Sequence, residues 1–236
     1  MADGVARISD PRRPALASPQ PLGYSFPMEP SLKAFNKHAT VKVYHRNLPH
    51  WRQEGATYFA TFRLADSIPR PILNQWNHER KAWLAANGVL DSMDKRERAE
   101  AYAKIDRKRR RNFERDQTRH LFTELDQCHG RCLFQEPDCR AVLRKSMLHF
   151  DGERYWAGDF VIMPNHVHWI VQPMHGHPLE TSLQSIKRFS STRLTKLGLH
   201  EGGHLWQSES HDHIIRNREE LGMRLFDHLI DNGYAV

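Results

Sequence analysis

The sequence has few cysteines, no long apolar run and no acidic surplus, and each shortage excludes a class of protein. Three cysteines in 236 residues, an odd number, argue against a disulfide framework and suit a reducing compartment. No apolar run approaches the roughly 18 residues of a membrane span, and the N-terminus lacks the apolar core of a signal peptide. A soluble cytoplasmic protein with no membrane partner is expected. Asp and Glu number 28 against 35 Lys and Arg, a net charge of +7, with an isoelectric point near 9.5. That imbalance is the footprint of a polyanion partner, nucleic acid before membrane. The chain is 39% hydrophobic, enough for a core, yet its mean hydropathy of −0.71 requires much of it to be solvated. One domain of moderate size, or one domain with an insertion and a tail, suits this length.

Residues 1–40 are rich in Pro, Ser, Ala and Arg without a sustained period, and read as a disordered basic tail. Residues 56–65 alternate as a half-buried strand, with Tyr58, Ala60, Phe62 and Leu64 on one face and Phe59 breaking the pattern. Pro69 and Pro71 then open a helix through Trp76, Arg80 and Trp83 to about Ala86, stopped near Asn87-Gly88. Residues 93–127 are the most charged part of the chain. Asp94 begins a second helix there, with an interrupted apolar stripe that includes Tyr102, Ile105, Phe113 and Leu125. Lys104, Arg107, Lys108, Arg109, Arg110 and Arg111 make that helix a candidate for phosphate contact, against the alternative of a solvated face.

Cys128, Cys132 and Cys139 supply only part of a zinc-ligand spacing, and Cys132-Leu133-Phe134 looks like a strand, so structural roles are expected for them. Pro137-Asp138 opens a helix that buries Leu143 and Met147, and Asp151-Gly152 is a turn. Pro178 to Leu197 reads as a helix with Leu179, Leu183, Ile186, Phe189 and Leu194 toward the core. Lys187, Arg188, Arg193 and Lys196 lie on another face, beside Ser190 to Thr192, and suit a phosphate backbone. Asn217 is placed to cap a last helix, with Glu220 at its third position.

The stretch Phe160 to Val171 organises the chain. Two strand-length apolar runs flank the turn signal Pro164-Asn165, and the second begins His166-Val167-His168. Side chains alternate along a strand, so the two imidazoles share a face, where they can share a divalent cation. Both are expected to be partly exposed.

Met163-Pro164-Asn165-His166-Val167-His168 and the apolar run after it resemble the signature of the His-hydrophobic-His (HUH) endonucleases, the single-tyrosine transposases. The closer resemblance is to REP-associated tyrosine transposases, named for repetitive extragenic palindromes. Leu205 to Asn217 resembles their Trp-Gln…Asp-His-x-x-Arg block, which ends here in Arg216, and Tyr58 to Leu64 resembles their first strand. The resemblance spans residues 45–233 and implies an α+β fold: a ferredoxin-like antiparallel sheet with flanking helices. The connection after the first strand is shorter in the family, so 70–127 would be a helical insertion within a transposase-like domain over 41–236. The resemblance further implies Mg²⁺ or Mn²⁺ held by His166, His168 and Asn232, and metal-assisted cleavage and strand transfer on single-stranded or hairpin DNA. Such a protein would work near the nucleoid as a monomer or homodimer.

The family's last helix reads Tyr-Ile-x-x-Asn-Pro, and its match here is His228-Leu229-Ile230-Asp231-Asn232-Gly233. His228 therefore stands where the family has its nucleophile, and Tyr234 is the nearest substitute phenol. The alternative implied by this departure is a cleavage-deficient DNA-binding derivative.

Overall fold

The computed structural model describes residues 33–45, 49–217 and 220. Strands β1 (Lys42–His45) and β2 (Pro49–Arg52) pair antiparallel as a two-stranded arm. After β3 (Tyr58–Arg63) come three helices, α1 (Arg70–Ala86), α2 (Lys95–Lys104) and α3 (Arg107–Asp126). A short 3₁₀ turn (Leu133–Gln135) leads into α4 (Pro137–Leu148), then β4 (Tyr155–Ile162), β5 (His166–Pro173), α5 (Leu179–Lys196) and β6 (His211–Ile214).

The four-stranded sheet has the order β4-β5-β3-β6 and is antiparallel throughout. With α4 between β3 and β4, and α5 between β5 and β6, the chain runs β-α-β-β-α-β. Its first strand lies inside and its fourth at an edge. That connectivity is ferredoxin-like, and the fold is α+β, as expected. Helices α1 to α3 interrupt the path from β3 to α4. They carry a small cluster of their own, Leu84, Val89 and Ile105, with Trp83 and Tyr102 against it. Trp83 also stacks on Phe113, with ring centroids 3.9 Å apart.

Alternation along the strands sorts the sheet into two faces. Tyr58, Ala60, Phe62, Val167, Trp169 and Val171 point to one side, where Leu143 and Met147 of α4 and Leu179, Leu183 and Ile186 of α5 cover them. Phe59, Val161, Met163 and Ile170 point to the other, against Phe122 of α3. Strand β3 is thus buried on both faces rather than one. It lies between β5 and β6, and Phe59 belongs to the second cluster instead of interrupting the first.

Several other expectations change. The charged helix expected from Asp94 is broken in two. The Ile105 side chain turns into the Leu84–Val89 cluster, its backbone becomes extended, and Asp106 starts a new helix by accepting from the Arg109 N–H. Cys132 to Phe134 is no strand: Cys132 adopts a positive φ of 45°, which ends extended structure, and Pro137 opens α4 directly afterwards. Cys128 and Cys132 are disulfide-bonded, where the odd cysteine count argued against a disulfide framework; the tight turn through Gly130 brings both ends together. Cys139 is free and buried on α4. Phe189, expected in the core, is 52% exposed; Ser190 takes the inward position and accepts the Trp206 indole N–H at 3.0 Å. The chain is already tied to the sheet at Phe35, whose N–H donates to the Ile215 carbonyl, and at Lys33, whose carbonyl accepts from the Thr57 N–H.

Candidate functional site

The β4–β5 hairpin places the histidine pair. Its turn closes when the Met163 N–H donates to the His166 carbonyl at 2.9 Å, and His166 and His168 then start β5 on the face away from α4 and α5. Both histidines are 1% exposed, where partial exposure was expected. Burial follows from the inner position of β5 and from Phe122, which meets the His168 ring edge-on at 5.5 Å. Phe59 stacks on the same ring at 5.3 Å.

The two Nε2 atoms face one another at 3.0 Å. Each Nδ1 is held from behind. Asn165 donates its amide N–H to the His129 carbonyl, which leaves Oδ1 to accept from His166 Nδ1 at 2.7 Å. That bond fixes the His166 proton on Nδ1 and presents a lone pair at Nε2. His168 Nδ1 lies 2.8 Å from the Thr61 hydroxyl, which can donate or accept. If Thr61 donates, His168 carries its proton on Nε2 and donates to His166. If Thr61 accepts, both Nε2 atoms offer lone pairs to a common point. Two ligand atoms about 2.1 Å from one ion at right angles stand about 3.0 Å apart, the octahedral geometry of Mg²⁺-like cations. The observed separation fits that arrangement, with Thr61 and Asn165 as the supporting groups that orient metal-ligating histidines. Among the described residues, no set of three or more His, Cys, Asp or Glu is grouped to hold a metal. Asn232, His228 and Tyr234 lie outside the described residues.

Arg63 pairs directly with His166 across β3 and β5, so both side chains project from the same face. Its Nη1 donates to Ser67 Oγ at 3.0 Å. No carboxylate among the described residues pairs with it, and burial draws its guanidinium down to about 10. A half-buried cation kept without a counter-ion beside two imidazoles is an electrostatic invitation to an anion. His211 and His213 of β6 complete this polar face. Phe122 lies edge-on to His211 at 5.6 Å, and Phe59 meets His213 at 5.4 Å.

At the edge of the opposite face stands an ionic network. His50 Nδ1 and Nε2 reach Asp212 at 2.7 Å and Glu209 at 3.2 Å, while Arg52 bonds Asp212 at 2.5 Å and Glu180 at 2.5 Å. Burial alone would lower His50; hydrogen bonds to Asp212 and then Glu209 outweigh it and push the imidazole up to about 9. For Asp212, burial opposes ionisation, but the bonds from His50 and Arg52 hold its carboxyl below the usual range. This network clamps the β1–β2 arm to β6 and to the start of α5.

The cations expected to meet DNA are divided by the structure. Lys104, Arg107, Lys108, Arg109 and Arg111 are exposed around the α2–α3 junction, while Arg110 is half-buried with its guanidinium 5.6 Å from the Tyr102 ring. Arg188, Arg193 and Lys196 are exposed on α5, as is Arg216 after β6. Lys187 turns inward instead, with Nζ donating to the Gln207 carbonyl at 2.9 Å and to Ser210 at 2.8 Å. Asn217 accepts the Glu220 N–H at 2.7 Å, the capping contact expected from the sequence.

Thr61, Arg63, Phe122 and the His50–Asp212 network were not foreseen. Thr61 and Arg63 share the Phe59 side of the β3 alternation, so the sequence carried a signal for their common face. Only the β3–β5 register brings them to the histidines.

No family model and no curated protein matches the sequence. Among solved structures, a REP-associated tyrosine transposase bound to a REP hairpin is similar over 81% of this chain and 76% of its own, at 13% identity and a TM-score of 0.41. A transposase candidate of Deinococcus radiodurans R1 is similar over 87% of this chain and 100% of its own, at 12% identity and a TM-score of 0.33. No helix among the described residues is long and apolar enough to cross a membrane.

Proposed function

We propose that this chain is a transposase-like endonuclease and strand transferase for single-stranded DNA, acting on hairpin or palindromic substrates with Mg²⁺ or Mn²⁺. The observation that carries this reading is the 3.0 Å apposition of His166 and His168 Nε2, each oriented from behind. The two histidines, with Asn232, would hold the cation, which when bound supplies charge withdrawal from the scissile phosphate. Asn165 and Thr61 orient the imidazoles. Arg63 stands beside His166 as a donor for a phosphate oxygen, and Phe59 and Phe122 exclude water from the His168 side. The exposed cations of α3 and α5 contribute sequence-independent attraction for the DNA backbone.

The reading divides at His228. Attack by a phenol in that position would join its oxygen to phosphorus as a 5′-phosphotyrosine and release a free 3′-hydroxyl, conserving the bond for rejoining. A histidine there would form a labile adduct, which favours a second reading: a cleavage-deficient DNA-binding protein derived from such an enzyme. Single-turnover incubation of the protein with end-labelled hairpin DNA and Mn²⁺ separates the two. Label transferred to protein on a denaturing gel establishes the endonuclease, and its loss in Tyr234→Phe would identify Tyr234 as the nucleophile. Retarded but intact DNA establishes the second reading, and His228→Tyr should then restore the covalent band. DNA neither cleaved nor bound would overturn both.

A further inference from the structure

Helices α4 and α5 cover the apolar face of the sheet, and their outer sides enclose a groove of about 430 Å³ far from any use in the chemistry above. Ala141 and Lys145 line it from α4, one helical turn apart; Phe189, Arg193 and Lys196 line it from α5 at the matching spacing. A second hollow of about 400 Å³ shares Ala141 and Lys145 and extends the groove to Arg144 and His149. No acidic side chain lines either hollow. Phe189 and Leu197, both in this groove, are 52% and 47% exposed, unusual for large apolar side chains on an otherwise charged helix. The Phe189 ring lies parallel to the His149 ring, within 3°, at a centroid distance of 6.3 Å.

Part of the positive charge elsewhere on the surface is paired. Lys81, Arg96, Arg98, Arg119 and Arg131 each lie within ion-pair distance of a carboxylate. Arg144, Lys145, Arg188, Arg193 and Lys196 have no carboxylate partner among the described residues. A solvated helix face normally mixes signs, and a core-facing stripe would bury its phenylalanine. Neither describes an exposed aromatic ringed by unpaired cations.

We propose that the α4–α5 groove is a docking site for single-stranded nucleic acid, with a base stacked on Phe189 and backbone phosphates held by Lys145, Arg193 and Lys196. An aromatic platform beside a basic track is the arrangement that binds a single strand without reading its sequence, because every base has a π-face and every nucleotide a phosphate. A second copy of the chain is the poorer occupant. An isologous contact would set this cationic surface against itself. The site lies behind the sheet from His166 and His168, so it holds a strand outside the reacting segment. The proposal depends on the DNA reading above only for what the docked strand is used for.

The test is equilibrium binding of a fluorescent oligo-dT to the full chain across a salt series. Stacking and phosphate contact leave different signatures. Phe189→Ala should weaken binding roughly tenfold or more with little change in salt slope, since stacking releases no counterions. Phe189→Trp should bind as well as the parent. Arg193→Glu with Lys196→Glu should weaken binding and flatten the slope by about 0.7 for each phosphate no longer neutralised. All three positions are exposed, so thermal unfolding of the variants should match the parent. Unchanged affinity and slope in both Phe189→Ala and the double reversal would overturn the proposal. So would a monomer–dimer shift on sedimentation in Phe189→Ala with oligo-dT binding intact, which would mark a self-interface. So would poly-glutamate competing as strongly as oligo-dT, which would mark an acidic protein partner. If the parent binds oligo-dT through Phe189 but neither cleaves nor recognises hairpin DNA, the proposed function fails and the groove stands.

Discussion

The two faces of the sheet are made from the same strands, yet they solve opposite problems. On the side covered by α4 and α5, the alternate residues Tyr58, Ala60, Phe62, Val167 and Trp169 build an apolar core. Its polar groups are paired at the edge through Arg52, His50 and Asp212. On the other side the same strands present Thr61, Arg63, His166, His168, His211 and His213, with Phe59 and Phe122 between them. One register therefore carries the apolar core, and the other carries the polar groups of the proposed site. Substitutions one residue apart on β5 should accordingly fall on different sides of that division.

The largest expected effect is on the apolar face. Trp169→Ala removes a fully buried side chain from the centre of the core and should cost about 4 kcal/mol in denaturant unfolding. Trp169→Phe should cost distinctly less. The indole N–H is buried without an acceptor among the described residues, so its removal offsets part of the missing packing. Equal losses in the two variants would mean that the indole contributes more than its hydrocarbon.

Next in size is the ionic clamp. Asp212→Asn leaves Arg52 and a charged His50 buried without their shared carboxylate, and should cost about 3 kcal/mol. The pH dependence has a definite sign. His50 is raised from 6.5 to about 9 on folding, so its contribution is fully present below about pH 6.5 and is lost as pH rises through about 9. Asp212 is depressed, so its contribution is present above its ordinary value of 3.8 and is lost as pH falls through the lowered one. Stability measured against pH should decline on the alkaline side in the parent, and that decline should flatten in Asp212→Asn.

The core and the clamp also differ in how far they could be read in advance. Strands β3, β4 and β5, the helix starts at Pro71, Asp94 and Pro137, and the hairpin at Pro164-Asn165 follow from local chemistry, which the sequence states directly. The ferredoxin-like order was implied by resemblance and is realised in the β4-β5-β3-β6 sheet. Local pattern could not provide register and burial. Thr61 faces His168, and Arg63 faces His166, only because β3 and β5 pair as they do. The clamp's bonds to Asp212 join positions 160 and 162 residues apart, which no spacing rule connects. Phe189 was misplaced for a related reason: periodicity locates a stripe but not its edge, and a serine bonded to Trp206 took the inward position.

The histidine face should separate binding from folding where Trp169 does not. His168→Ala loses its bonds to Thr61 and His166 and leaves a cavity between Phe59 and Phe122, and should cost about 2 kcal/mol of stability, while calorimetry should show Mn²⁺ binding abolished. His166→Ala should behave alike. Thr61→Val keeps both imidazoles but removes the hydroxyl that sets the His168 tautomer, and should weaken Mn²⁺ binding about tenfold or more. Mn²⁺ affinity equal to the parent in the double histidine variant would remove the site.

The smallest effect on stability, and the one that best separates binding from folding, concerns α3. Phe122 and Thr118 sit on the histidine face, Thr118 beside His211 and Phe122 against His168. Continuing toward the start of the helix in alternating steps of three and four gives Arg115, Arg111 and Lys108, so one helical stripe runs from the histidines out to exposed cations. A strand lying along that stripe would be led to the buried pair. Lys108→Glu with Arg111→Glu touches no packed side chain and should leave unfolding within about 0.5 kcal/mol of the parent. Hairpin DNA affinity should nevertheless fall, and its dependence on salt should become shallower by roughly one unit for each phosphate that is no longer neutralised. The slope is the informative reading. A uniform loss of affinity with the slope preserved would mean that the reversed charges act from a distance on the net field of the protein. Affinity and slope both unchanged would make this stripe a solvated helix face, and the histidines would have to be reached from another side.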